Sequence, residues 1–578
     1  MHIGPGPVFV VEWITGARRW QMYAIRAGVI SILFAALWLV WENTNTRHVG
    51  PMSYKQYADV GEGFYFAVIG TQLALILLAA PGAAAGAICI DKQRGNLLHL
   101  MVTDLTDGEI VLDKLAVRLL PVAGLIVASL PVLMLASWLG GLDPEAVAAA
   151  YLVMAGSGLF GCALALLLSV WGRKAHEVLL MTYLIEVGWL MSYPAWAMAD
   201  AGLFHTGTAA DWLKNLNPYV LVFAPYARVR GIEWADYAIF LAVCVALATV
   251  CTVLAILSVR PCTLRDGVVT AKPRRVKRSR RNAWLLSYDP LLWYERHRRQ
   301  ASRWTKAVWM LFLGGGACAT LLGGLCVGGR GGDEVLVFTN MIQLSVGVLL
   351  VLVGAVTALA DERVRGGLDV LLTTPVPTWQ IVRAKWRGAF RPVKWLTILP
   401  VIACAAAACS NGHVGGVIPV ILLVPLNFAY GAFAVSFGLF VAVIVSRVGR
   451  AIGVAVGFYA VQCLGWPMIV LLLTASRGGS EAIGPTLASP FMGGTAMTIF
   501  AVEWQRIGGR DEDVLCMIWA VGWSVLLAIG ALFFYMMALV AFDNRLGRVP
   551  DAGLRPRIAP PRMRSLRSSR EAAVAKSA

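Results

Sequence analysis

The chain has 578 residues, of which 58% are hydrophobic and only 14% charged, and its 50 Lys and Arg against 33 Asp and Glu give a formal net charge of +17. A mean hydropathy of +0.69 lies far from that of soluble globular domains and excludes soluble enzymes, disulfide scaffolds and disordered chains. What remains is a polytopic membrane protein: twelve spans of ~20 residues would occupy roughly 240 positions, leaving room for loops but not for a large soluble domain.

Taken in order, residues 1–22 hold Pro7 and Glu12 in an aromatic and β-branched patch, followed by Arg18, Arg19 and Trp20. That composition predicts a helix lying in the membrane interface. Apolar runs then predict spans at 23–41, 64–90, 116–140, 146–171, 177–199 and 234–259. Between the second and third spans, the stretch from Asp91 starts charged and continues with leucines spaced by three and four, the pattern of a short helix with an apolar stripe. Thr106 with Glu109 three residues on predicts a capping box at the start of the next helix.

A basic linker over 261–288, including Lys272 to Arg281, separates this unit (1–260) from a second one (289–543). Beside a span and without an aromatic platform, the linker suits anionic lipid headgroups; nucleic acid is not expected as a partner. The second unit restarts with Pro290 and Glu295, at the same five-residue spacing as Pro7 and Glu12, and predicts spans at 306–328, 335–360, 386–409, 415–446, 451–475 and 513–541. The tail 544–578, rich in Arg, Pro and Ser, predicts a basic disordered segment held near the same surface.

The charged stretch occurs twice. A shift of 271 lays Asp91–Pro121 on Glu362–Pro392 without a gap, and nine of 31 positions are identical: Arg94, Gly95, Leu97, Leu100, Thr103, Ile110, Val111, Lys114 and Pro121 face Arg365, Gly366, Leu368, Leu371, Thr374, Ile381, Val382, Lys385 and Pro392. Gly188 and Trp189 answer Gly465 and Trp466, and Asn217-Pro218-Tyr219 answers Ser489-Pro490-Phe491. The chain therefore reads as a tandem duplication of a six-span unit. Because six is even, the copies are parallel repeats about an axis along the membrane normal. With the amino terminus inside, 41 of the 50 Lys and Arg fall on that side, so the positive-inside rule predicts that the stretches, the linker and both termini are cytoplasmic. The expected architecture is an all-α polytopic membrane protein with about 12 transmembrane helices, arranged as two parallel six-helix repeats with cytoplasmic coupling helices.

Acidic residue, Arg-Gly-x-Leu, Leu-Leu-x-Thr-Pro and a downstream Ile-Val-x-x-Lys together resemble the cytoplasmic coupling region of ATP-binding-cassette (ABC) exporter permeases of the ABC type-2 family. The second copy fits best, through Glu362, Arg365, Gly366, Leu368, Leu371, Leu372, Thr374, Pro375, Ile381, Val382 and Lys385. The first copy, with Asp91, Arg94, Gly95, Leu97, Leu100 and Lys114, departs from the pattern by placing Asp104 where Pro375 stands. The resemblance implies that these residues dock cytosolic ABC ATPase subunits, which would bind ATP and magnesium, and that the chain sits in the plasma (inner) membrane as the permease. No Gly-x-x-x-x-Gly-Lys-[Ser/Thr] phosphate loop, zinc-protease helix or nucleophile elbow occurs in the sequence, so the chain by itself is not expected to be an enzyme, nor to bind a metal or cofactor. Most of the eleven cysteines lie inside apolar runs without paired or metal-type spacing and read as buried small hydrophobes.

Glu186 is the clear ionisable residue near the middle of a span, and such a residue is a substrate-path candidate. A helix-joining carboxyl group is its alternative. At the level of function, an ABC exporter permease explains both the duplication and the stretch after span two. A twelve-span secondary transporter explains only the duplication, and a membrane scaffold docking another cytosolic partner is the third reading.

Overall fold

A computed structural model describes residues 6–18, 20–45, 54–138, 143–200, 211–227, 232–268, 290–297, 303–326, 332–364, 367–374, 376–410, 417–445, 448–467, 469–470, 483–507 and 511–546. Arg365, Gly366 and Pro375 lie outside the described residues, as do Lys272–Arg281 of the linker and the tail beyond Leu546.

The described residues are helical and include no strand. Where apolar runs cross hydrocarbon, each backbone N–H and C=O must be satisfied within its own segment, and the α-helix does this. The first half runs α1 (Pro7–Ala17), α2 (Trp20–Asn45), α3 (Tyr54–Ala84), α4 (Cys89–Arg94), α5 (Asn96–Val102), α6 (Asp107–Ala128), α7 (Leu130–Trp138), α8 (Pro144–Trp171), α9 (Ala175–Ala199), α10 (Asp211–Asn215), α11 (Pro218–Ala227) and α12 (Trp234–Val268). The second repeats the plan with α13 (Pro290–His297), α14 (Arg303–Cys326), α15 (Gly332–Val364), α16 (Gly367–Leu372), α17 (Thr378–Phe390), α18 (Val393–Ser410), α19 (Val417–Ile444), α20 (Val448–Ala460) with a π-helical turn at Val461–Gly465, α21 (Ile483–Thr486), α22 (Pro490–Ile507) and α23 (Asp511–Leu546).

Among the described residues, ten helices are long and apolar enough to cross a membrane. Of the two other expected spans, 23–41 falls on α2 and 451–475 begins on α20 with its π turn, while positions 468 and 471–475 lie outside the described residues. Each half has its own core. In the first, Leu73 of α3, Val111 and Val122 of α6, Val153 and Leu166 of α8 and Phe240 of α12 are buried together. In the second, Val351 of α15, Ile381 of α17, Leu396 of α18, Val435 of α19 and Leu527 of α23 form the counterpart.

The halves meet through α9, which packs on α14, α15 and α20. Leu180, Met181 and Leu184 lie against the second core, and Thr305 Oγ1 at the start of α14 donates to Glu177 Oε1 at the start of α9, at 3.1 Å. This contact joins the helix start that follows α8 to the helix start that follows α13, so the entry helices and charged stretches of both halves gather at one end of the bundle. At the opposite end the turns before α11 and α22 are seated alike: Trp189 donates to the Leu216 carbonyl at 3.0 Å and Trp466 to that of Pro485 at 2.9 Å. Asn217 Nδ2 reaches the Leu190 carbonyl at 2.7 Å and Ser489 Oγ the Cys463 carbonyl at 2.8 Å.

Candidate docking site at the repeated stretches

After α3 the chain leaves helical hydrogen bonding, and the hydroxyl of Ser169 on α8 accepts from the Ile88 and Cys89 amides at 3.1 and 2.9 Å. One turn of α4 then ends at Gly95, whose φ of 77° is left-handed and unfavourable for a residue with a Cβ. The reversal starts α5 in a new direction. Thr103 closes that short helix by donating its hydroxyl to the Leu100 carbonyl at 2.5 Å, and Thr374 closes α16 on Leu371 at 2.6 Å. These two bonds account for the Thr shared by the copies. The capping box expected at Thr106 is present: Thr106 N donates to Glu109 Oε2 at 2.9 Å and Glu109 N to Thr106 Oγ1 at 3.3 Å.

The centre of each stretch is a lysine buried between carboxylates. In the first half, Lys114 on α6 donates from Nζ to Glu12 Oε1 of the entry helix at 2.7 Å and also bridges to Asp91 on α4; its side chain is 1% exposed. In the second, Lys385 on α17 bridges Glu295 of entry helix α13 and Glu362 at the end of α15, with a side chain 2% exposed. The same three positions thus tie the entry helix, the end of span two and the start of span three into one knot. A buried ammonium is tolerated only when paired in this way. The first knot is larger, because Arg118 reaches Glu12 Oε2 at 2.9 Å and the Asp113 carboxylate accepts from the Phe9 amide in the first turn of α1 at 3.3 Å.

A second repeated tie lies beside the first. Lys92, next to Asp91, donates to the Val170 carbonyl at 2.6 Å. Arg363, next to Glu362, donates to the carbonyls of Ala442, Val443 and Val445 at 3.2, 3.1 and 3.4 Å. Both cap the carbonyl end of span four, where a cation complements the helix dipole. Partial burial lowers the Arg363 pKa from its ordinary value, but a guanidinium keeps its charge at neutral pH. The start of span three is also tied to the end of span six, by Arg260 with Asp107 at 3.4 Å in one half and by Thr378 with Asp543 at 2.7 Å in the other.

The residues singled out in the sequence therefore divide in two. Lys114, Lys385, Leu97 and Leu368 are buried, Asp91 and Glu362 are turned to the lysines, and Gly95 sets the reversal. Leu100, Leu371, Leu372 and Thr374 are half-buried, and Arg94 is exposed. The outward face of α5 includes Leu98, His99 and Val102, the last 84% exposed; that of α16 includes Val370, 68% exposed. Glu12, Glu295, Lys92 and Arg363 complete the arrangement without having been named as docking residues. The signal was present: glutamate five residues after the entry proline in each half, and a basic residue directly after the acid in each stretch.

Glu186 lies on the side of α9 turned toward its own half. Its Oε1, Ala80 and Pro81 fill the space in front of Gly161, where an added Cβ would come within 2.7 Å of that oxygen. Glu186 is 4% exposed and Oε1 has no hydrogen-bond partner. One turn earlier, Tyr183 donates to the Leu78 carbonyl at 2.7 Å.

Residues 333–545, from the beginning of α15 to the end of α23, match the model of a family described as ABC-2 family transporter protein. No curated protein matches the chain.

Proposed function

We propose, from a chain whose residues 333–545 belong to the ABC-2 family of transporter proteins, that its two docking stretches receive separate ATP-hydrolysing subunits and pass their motion to the spans. The chain is the membrane permease component of an ABC transporter. Export is the direction we assign to it, across the plasma (inner) membrane, with the stretches and both termini in the cytoplasm. The cytoplasmic placement of the stretches and termini rests on the positive-inside distribution of Lys and Arg, and export on the resemblance of the stretches to the coupling region of ABC exporter permeases. ATP and magnesium belong to the partner.

One observation carries the reading. In both halves a short helix with an exposed apolar residue, Val102 or Val370, follows in sequence on an acidic residue that a buried lysine holds at the same end of the bundle. An amphipathic helix held rigidly against the protein and open on its other face suits a partner's groove, and its anchorage on spans one, two and three gives the partner a lever on all of them. Purified under gentle extraction, the chain should carry with it a separate ATPase whose turnover changes when the chain is removed. An ATPase that neither binds nor responds would favour a secondary carrier.

A further inference from the structure

The duplication gives each helix of one half a counterpart in the other, and the contact between the halves does not obey it. At the shift of 277 that lays Gly188 and Trp189 on Gly465 and Trp466, α9 answers α20, and Glu177, Met181 and Leu184 fall on Val454, Phe458 and Val461. The α9 trio is turned to the other half: Glu177 takes the Thr305 hydroxyl of α14, and Met181 and Leu184 lie against the second core. Trp304, in the Arg303-Trp304 pair that opens α14, packs against the first-half cluster of Ala85, Leu164, Leu168 and Val178. Arg19-Trp20 opens span one of the first half in the same way. Yet Trp20 is 74% exposed, and Val454, Phe458 and Val461 are 52, 38 and 61% exposed. Span one thus sits on span five of the opposite half at one seam, while both faces of the equivalent seam lie open.

Exposure alone singles out nothing in a span, because acyl chains cover any apolar face there. These two faces have a composition of their own. On α20, Gly449, Gly453 and Gly457 recur every fourth residue beside Val454, Phe458 and Val461, and a methyl group added at any of the three would meet nothing within 4 Å. On α2, Ala24, Gly28, Ser31 and Ala35 continue the line of Trp20 and are exposed. Ser31 satisfies its hydroxyl within its own helix, on the Ala27 carbonyl at 2.8 Å. Small residues on facing helices are what lets two backbones approach closely in a bilayer. The packing of α2 on α3, α6 and α7 of its own half leaves this line of small side chains outside.

We propose that α20 is the seat of α2: span one of the first half closes on span five of the second as α14 closes on α9, and the halves part and rejoin along this seam alone. The other seam, held by Glu177 with Thr305 and by Leu180, Met181 and Leu184 of α9, stays closed and is the pivot. Both α2 and α20 begin at the end of the bundle that carries the repeated stretches, so they run parallel. On closure Trp20 comes to Val454, and Ala24, one turn on, comes to Gly457. The seam belongs to the chain itself and forms without a docked partner.

The test uses cysteine pairs in the full chain, in membranes, with native accessible thiols removed and a protease site engineered into the linker. A short bifunctional thiol reagent is added first and the linker is cut afterwards, so that only linked halves run at full mass. Trp20→Cys with Val454→Cys should link within one chain, because the reagent traps the closed arrangement each time it forms. Should that pair fail to fold, Ala24→Cys with Gly457→Cys, two small changes on exposed positions, takes its place. Gly453→Leu enters open space in this structure; it should preserve the amount of folded protein and lower the yield of the link several-fold by crowding the seat. Spin labels at Tyr23→Cys and Arg450→Cys, flanking the seam, should give two distances, and at Lys174→Cys and Lys306→Cys, flanking the pivot, one. Absence of the link in both seam pairs while Glu177→Cys links to Thr305→Cys would overturn the proposal. So would a product of doubled mass, which would put a second copy of the chain on α20, or a yield that Gly453→Leu leaves unchanged. A single distance across the seam, or two across the pivot, would equally contradict it.

Discussion

Gly95 stands where the chain passes from α4 to α5 at φ 77°, and a methyl group added there would meet nothing within 4 Å. The whole cost of Gly95→Ala is therefore backbone strain, about 1–3 kcal/mol, and thermal unfolding in detergent should register it without loss of packing. An unchanged transition would mean that the reversal does not need a glycine. Lys114 and Lys385 are the residues whose role the sequence concealed most. A lysine at the end of an amphipathic pattern has the same spacing whether it faces a partner or the interior. Only the packing of the entry helix, 102 residues away in sequence for Lys114 and 90 for Lys385, turns each of them inward. Breaking one partner of such a buried pair costs about 3–5 kcal/mol, so Glu295→Ala should destabilise far more than Arg94→Ala, whose side chain is exposed; equal losses in unfolding temperature would contradict the burial. For Glu186, an unpaired oxygen packed against Gly161 predicts that Glu186→Gln preserves both fold and transport, whereas Gly161→Leu drives a side chain into that oxygen and lowers the amount of folded protein. A loss of transport by well-folded Glu186→Gln would instead assign the carboxyl group to the cargo path.

The helices repeat in their inner faces and diverge in their outer ones. Leu97 and Leu368, Ile110 and Ile381, and Val111 and Val382 are identical and buried in both copies, which is why the duplication was legible. A stripe repeated for packing survives when the exposed face does not. The outward positions changed: His99 became Val370 and Val102 became Thr373, so the two outward faces are chemically unequal. Val102→Glu and Val370→Glu should each weaken ATPase binding at least several-fold with little change in thermal stability, because both side chains are exposed. Leu97→Glu should do the reverse, unfolding the stretch by burying a charge. Pro121 and Pro392 show the limit of reading elements from motifs. The same aligned proline lies inside continuous α6 in one half but at the break between α17 and α18 in the other, and the residues around it, not the proline, decide which.

Over the whole molecule, the parallel duplication accounts for both knots lying at one end, and the contact of α9 with α14, α15 and α20 joins the halves there. Parity of the span count makes this end legible from sequence; the choice of α9 as the joining helix was not, since it rests on which of several apolar faces fit together. Glu177→Cys with Thr305→Cys, whose native side chains meet at 3.1 Å, should be linked by a short bifunctional thiol reagent. Absence of the link would contradict the packing of the halves. Orientation is checked by labelling in intact cells, after native accessible thiols are removed: Asp143→Cys should react from outside, while Arg275→Cys, in the linker outside the described residues, should react only once the membrane is opened. On the proposed function, the outer faces of α5 and α16 meet an ATP-hydrolysing partner. A photo-crosslinking amino acid placed at Val102, at Val370 and, as a lipid-facing comparison, at Leu532 tests it directly. The account predicts ATPase adducts from positions 102 and 370 and none from 532; an ATPase that co-purifies with the chain yet is never captured from 102 or 370 would contradict it.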